Sequence, residues 1–200
     1  MHGADPGAAV NRAGRLAKWD WPDKVSGLSP MTAIETERTR LRPLTPADAD
    51  KVLMILSDPE AMQYSPAGVA QDRAAAEGLI RWNQENHRVH GLGVWAVVSR
   101  RTDEFLGLAG LIPQPVGVEI FCSFVRRRWG QGLATEVGAA CRDYGLQPLR
   151  KTRLIAIIHP ENSRAINVAR KLGLRDVGTI EFWGRTNRLF EIRPADQAGG

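Results

Sequence analysis

The chain has 200 residues, 43% of them hydrophobic, and 27 Lys and Arg against 22 Asp and Glu give a formal charge of +5. That length suits one domain with a real core; no apolar run approaches a membrane span and the N-terminus lacks the apolar middle of a signal peptide, so no membrane partner and a cytoplasmic location are expected. Cys122 and Cys141 are too few and too far apart for a disulfide framework, and no Cys/His spacing suggests a metal site, which leaves two reduced thiols and no metal.

Residues 1–33 carry Gly, Pro, Ala and charges without a sustained period and read as a flexible or loosely docked arm; the alternative is that Trp19 and Trp21 anchor it. The domain is placed at 34–193, with 194–200 as a C-terminal tail. "TRLRPL" alternates as a strand. Thr45 then stands as N-cap, with Pro46 at the first helical position and Asp48 completing a capping box, and Val52, Leu53, Ile55 and Leu56 form the apolar face. "QDRAAAEGLIRWNQENHRV" is a second helix, stopped by Gly91. "VWAVVSR", "EFLGLAGLI" and "VEIFCSFV" are three strands, the first two joined by a hairpin at Thr102 and Asp103. A helix from about Leu133 to Tyr144, a buried strand "TRLIAIIH", a helix "SRAINVARKLG" ending at Gly173, and the strands "VGTIEFW" and "RLFEI" complete an α+β order, β-α-α-β-β-β-α-β-α-β-β.

Between the third of those central strands and the next helix lies "RRRWGQGLATE". A helix start leaves backbone N–H groups unpaired and adds positive potential, and glycines let a ligand approach the backbone closely, so this turn suits a phosphate or pyrophosphate. The run Arg126–Arg128 would strengthen it, since guanidinium binds phosphate well. No Gly-Lys-Ser/Thr ending makes it a P-loop, and Thr135 stands where a dinucleotide fingerprint needs its third glycine. The remaining basic residues are spread along the chain as in a solvated surface, so a nucleic-acid partner is not expected.

"VEIFCSFVRRRWGQGLATEVGAACRDYGL" followed by "HPENSRAINVARKLGLRDVG" resembles the GNAT acyltransferase superfamily, most closely its ribosomal-protein N-terminal acetyltransferase branch, over roughly 34–193. "LRPLTPADAD", "GVWAVV" and "FLGLAGL" fit the same branch. The resemblance implies a mixed central sheet, splayed and flanked by helices, and acetyl-CoA as cosubstrate. It implies that pyrophosphate oxygens accept the amides of Gly130, Gln131, Gly132, Leu133, Ala134 and Thr135, and that pantetheine pairs with backbone groups of Cys122 and Phe124 as an added strand would. Asn162 is implied to donate its amide to pantetheine; its side chain can also cap the following helix, and both roles stay open. The chain departs from the family at Trp129, where Gln or Arg is general; at Ala165, where many members carry Ser near the sulfur; and at Leu174, where Phe is usual.

Transfer from a thioester to an amine needs a base, because an ammonium cannot attack. Glu119 opens "EIFCSF" where the family carries an acidic residue, and alternation puts Phe121 and Ser123 on its face. Either Glu119 is that base, with a pKa raised by partial burial, or it pairs with an arginine and only shapes the site. His159, before a proline at a strand end, reads as structural, and His87 and His90 sit where a cation suits a helix C-terminus, near an implied acceptor wall. The expected activity is direct acetyl transfer to a primary amine, by tilt of the resemblance a protein N-terminus. The alternatives are a small-molecule amine such as an aminoglycoside or polyamine, or a non-catalytic acyl-CoA binding module; a homodimer is left open.

Overall fold

The computed structural model describes residues 33–70 and 72–197. The N-terminal arm reading, with Trp19 and Trp21, falls outside them. Eight strands form one sheet: β1 (Ile34–Glu35), β2 (Thr39–Pro43), β3 (Gly93–Ser99), β4 (Phe105–Gln114), β5 (Gly117–Phe124), β6 (Leu154–Ile158), β7 (Arg175–Phe182) and β8 (Arg185–Ile192). Their spatial order is β1-β2-β3-β4-β5-β6-β8-β7, and every pairing is antiparallel except β5 with β6. Five α-helices flank it: α1 (Ala49–Leu56), α2 (Pro59–Met62), α3 (Arg73–His90), α4 (Leu133–Leu146) and α5 (Ser163–Lys171).

Local chemistry places most boundaries. Asp72 caps α3 by accepting from the Ala75 amide at 3.1 Å, and Gly91 ends it in the left-handed region at φ 65°. At α1 the expected capping box is present but reshaped. Asp48 accepts from the Thr45 amide and hydroxyl at 2.9 and 3.0 Å, while Pro46–Asp48 wind as a 3₁₀ turn and the α-helix starts only at Ala49. Asp58 caps α2, a short helix the periodicity does not signal, with bonds from the Glu60 and Ala61 amides. Trp183, expected in the last strand but one, instead makes a tight turn with Gly184, both at positive φ (55° and 71°), which suits the right-handed twist of the β7–β8 hairpin. Pro194–Gln197, read as tail, form a 3₁₀ turn pinned by Asp196 to the Arg193 amide and to Arg175.

The sheet separates two layers. Val118, Ile120 and Phe124 of β5 pack with α4 and α5 residues, including Leu133, Val137 and Ala169. On the opposite face Phe121 and Ile112 pack with α1 and α3 through Val52, Ile55 and Ile80. A small cluster of Ile155, Ile157 and Phe182 sits apart from both. β5 and β6 pair at Val118–Leu154 and Glu119–Ile155, and the ladder goes no further. The strands part there, and that opening frames the site.

Candidate active site

The Val125 amide donates to Leu106 across β4 at 3.0 Å. Since inward and outward backbone groups alternate along an antiparallel strand, the amides and carbonyls of Phe124 and Cys122 face away from β4, into the opening toward β6. The Phe124 carbonyl already accepts the Trp129 indole N–H at 2.7 Å. Burial pushes the Cys122 thiol up to about 12, which favours its protonated form at neutral pH.

Beyond β5 the chain makes a 3₁₀ turn (Arg126–Arg128), then Gly130 and Gly132 take positive φ of 74° and 77°, and α4 begins at Leu133. No carbonyl of the described residues accepts from the amides of Gly130, Gln131 or Gly132, and Leu133 and Ala134 open the helix, where no intrahelical acceptor exists. Thr135 does not belong with them: its amide donates to the Gly132 carbonyl at 3.1 Å, because the first turn of α4 closes on itself. The amide cradle is thus 130–134.

The charge around this cradle does not come from the expected run. Arg126 pairs with Asp58 and Glu60 at 3.3 and 3.0 Å, and Arg127 and Arg128 both pair with Glu104. The 3₁₀ turn points the three guanidiniums at acidic residues of α2 and the β3–β4 hairpin. The cation beside the cradle is Arg38, from the β1–β2 connection. Its Nη1 donates to the Gln131 carbonyl at 2.8 Å and its Nε to Glu136, whose carboxylate also accepts from the Arg38 amide at 2.9 Å. A Cβ on Gly132 would lie 3.6 Å from Arg38 Nη2. Nothing local in the sequence marks Arg38, because its partners are more than ninety residues away. On the far side of the opening, the Arg164 guanidinium sits 4.8 Å over the Trp129 ring. Asn162 caps α5 by accepting from the Ala165 amide at 3.1 Å, which leaves its side-chain N–H₂ uncommitted among the described bonds.

Glu119 lies at the root of the opening, 8% exposed, between the α1–α3 cluster and the Ile155–Ile157 cluster. Gln114 Nε2 donates to its Oε2 at 2.6 Å, and the Ile157 amide, which has lost its ladder partner where the strands part, donates to its Oε1 at 3.4 Å. Among the described residues no arginine pairs with it. Burial pushes the carboxyl up to about 7, while the two donors pull it back down.

One wall of the opening is Tyr64, which no motif marks. Its ring stacks on His159 at 5.0 Å, its hydroxyl reaches the Glu161 carbonyl at 3.3 Å, and its own carbonyl accepts from Arg185. The α2–α3 loop is thereby tied to the β6–α5 turn and the β7–β8 hairpin. His159 also accepts from the Glu161 amide at 3.3 Å, in keeping with its structural reading. His87 and His90 occupy the last turn of α3, and burial lowers both. A shallow pocket of about 220 Å³ between α1, α2 and Arg126 contains none of the candidate residues. Among the described residues no His, Cys, Asp and Glu cluster could hold a metal, and no helix is long and apolar enough to cross a membrane.

A parallel pair of strands that parts beside a glycine-led helix start, with a buried carboxylate at the root, is the architecture of an acetyltransferase. The acetyltransferase (GNAT) domain family matches residues 38–175, and the chain belongs to that family as an N-acetyltransferase. It is 34% identical to the uncharacterized protein YkkB of Bacillus subtilis (strain 168) over 165 residues, 80% of this chain and 95% of that one. Among solved structures, a GNAT-family acetyltransferase from Bacillus anthracis superposes with a TM-score of 0.71 at 23% identity, over 81% of this chain and 98% of that one. RimL, a ribosomal L7/L12 alpha-N-protein acetyltransferase solved with coenzyme A, has a TM-score of 0.70 at 13% identity, over 81% and 98%. These structural likenesses establish the fold.

Proposed function

We propose that the domain at 34–193 transfers the acetyl group of acetyl-CoA directly to a primary amine, and that this amine is a protein N-terminus. The residues fit the cosubstrate: the five successive amides at 130–134 have no acceptor among the described residues, two glycines at positive φ keep the surface open, and the outward backbone of Cys122 and Phe124 offers an edge for an extended pantetheine. Bound there, acetyl-CoA supplies the acetyl group as a thioester. Arg38, paired with Glu136, sets a guanidinium beside the cradle, and Asn162 offers its side-chain amide at the other side of the opening.

Glu119 is the proposed base, and its placement carries the reading. A carboxyl near 7 is partly ionised at neutral pH yet basic enough to take a proton from an incoming ammonium, directly or through water. The protein N-terminus as acceptor is supported by the fold it shares with RimL, named as an alpha-N-protein acetyltransferase.

Calorimetric titration of acetyl-CoA tests the cosubstrate, beside Gly132→Glu and Gly132→Ala. Both variants impose the same positive-φ strain, but only the first adds a carboxylate. Micromolar binding to the native protein, weakened modestly by alanine and abolished by glutamate, is expected; no binding to the folded native protein overturns the reading. A free-thiol assay then compares peptides with free N-termini, their N-acetylated counterparts, aminoglycosides and polyamines. Turnover confined to the small amines would overturn the protein acceptor and leave the acetyl-CoA chemistry standing.

A further inference from the structure

The carboxylate at the root of the opening has a dedicated partner. Gln114 ends β4, is 5% exposed, and is the diagonal neighbour of Glu119 on one face of the β4–β5 ladder, where Glu119 opposes Ile112 and Gln114 opposes Gly117. Its amide makes the shorter of the two bonds that hold the carboxylate, 2.6 Å against 3.4 Å from the Ile157 amide. A buried side-chain amide costs free energy unless bonded, so Gln114, buried beside Glu119 on this face, calls for a role. No charged side chain of the described residues bonds to Glu119. Across β6 on the same rung, Glu191 is held by Arg153 and Arg193, each at 3.3 Å.

We propose that Gln114 is a positioning residue for the acetyl-transfer base: its amide fixes the Glu119 carboxylate at the point where β5 and β6 part. A neutral donor suits that task. An arginine would hold the carboxylate ionised far below neutrality and make it a poor base, whereas an apolar neighbour would leave it protonated and unable to accept. An amide lies between the two, and it can turn its carbonyl to receive the O–H once Glu119 has taken a proton. The proposal rests on Glu119 as base for its consequence in catalysis, but the coupling of the two side chains stands on geometry alone.

The experiment uses the full chain with ¹³C-carboxyl-labelled glutamate, the Glu119 signal being assigned by its loss in Glu119→Gln. In the native protein the Gln114 side-chain N–H₂ signals are expected to move with the same midpoint as the Glu119 carboxyl carbon. In Gln114→Leu, and in Gln114→Asn, whose amide falls short, the Glu119 midpoint is expected to rise by about one pH unit, the loss of one charge-assisted bond. Gln114 signals that ignore the Glu119 midpoint overturn the proposal without any variant, as does an unmoved midpoint in a variant that unfolds at the native temperature. Once an acceptor is known, the acid limb of kcat should follow the shifted midpoint with KM for acetyl-CoA unchanged. A limb that ignores the Glu119 midpoint removes Glu119 as base and leaves the pairing with Gln114 intact.

Discussion

Asp48, before α1, and Glu119, where β5 and β6 part, are both carboxylates withdrawn from water, at 1% and 8% exposure, and the protein treats them oppositely. Burial alone would raise Asp48, but a two-pronged Arg42 guanidinium at 2.7 and 2.8 Å, with the Thr45 donors, holds it well below the usual carboxylate range. Glu119 receives only neutral donors among the described residues and rises to about 7. A buried carboxylate given a cation is fixed as an anion and serves the fold; one given amides alone keeps a proton it can exchange near neutrality. If Glu119 is the base, as proposed, that difference, more than burial itself, separates its role from that of Asp48.

The sharpest way to break the contrast is Glu119→Gln. Acetyl transfer is expected to fall by about a hundredfold or more, with acetyl-CoA affinity retained in calorimetry. The same variant should be more stable than the native protein at pH 8. A carboxyl whose folded pKa is raised is best accommodated when protonated, so native stability falls as pH climbs from about 4.5 toward about 7. Glutamine escapes that loss, worth about 2 kcal/mol in urea unfolding after allowance for relaxation of the site. The gain should vanish near pH 4. Equal stability at both pH values, or unimpaired transfer, would put Glu119 in the same class as Asp48.

The opposite limb of the contrast is Arg42→Leu, which leaves Asp48 buried with only Lys51, at 3.6 Å, as a charged neighbour. A loss of about 3 kcal/mol at pH 7 is expected, with activity per folded molecule unchanged. Because Asp48 is depressed in the folded state, its contribution is present above about pH 4 and lost as pH falls, so the deficit of the variant should shrink in acid. A deficit that does not change with pH would mean that packing of the arginine stem, not the ion pair, is what Arg42 supplies.

The smallest effect is expected at Arg127→Ser. Its pair with Glu104 is exposed, at 56% and 34%, so stability should change by less than about 0.5 kcal/mol. Acetyl-CoA affinity should also hold, since the run faces acidic partners and not the amide cradle. A tenfold loss of affinity would restore the arginine run as a phosphate ligand.

What the sequence by itself determined was local. Strand alternation, the Thr45–Asp48 box, the Gly91 stop and the glycine turn ahead of α4 are written within a few residues of where they act. Only the tertiary structure decided where charge goes and what the carboxylates feel. Arg38 reaches the cradle from a connection more than ninety residues upstream, and Arg126–Arg128 turn to Asp58, Glu60 and Glu104. Tyr64 meets His159 across the opening, and β8 slips between β6 and β7. Gln114 lies five residues from Glu119, yet its partnership depends on the register of a hairpin and on the point where β5 leaves β6. The physical reason is range: caps and periodicities act through bonds to near neighbours along the chain, whereas desolvation and ion pairing depend on which distant surfaces the folded sheet brings together.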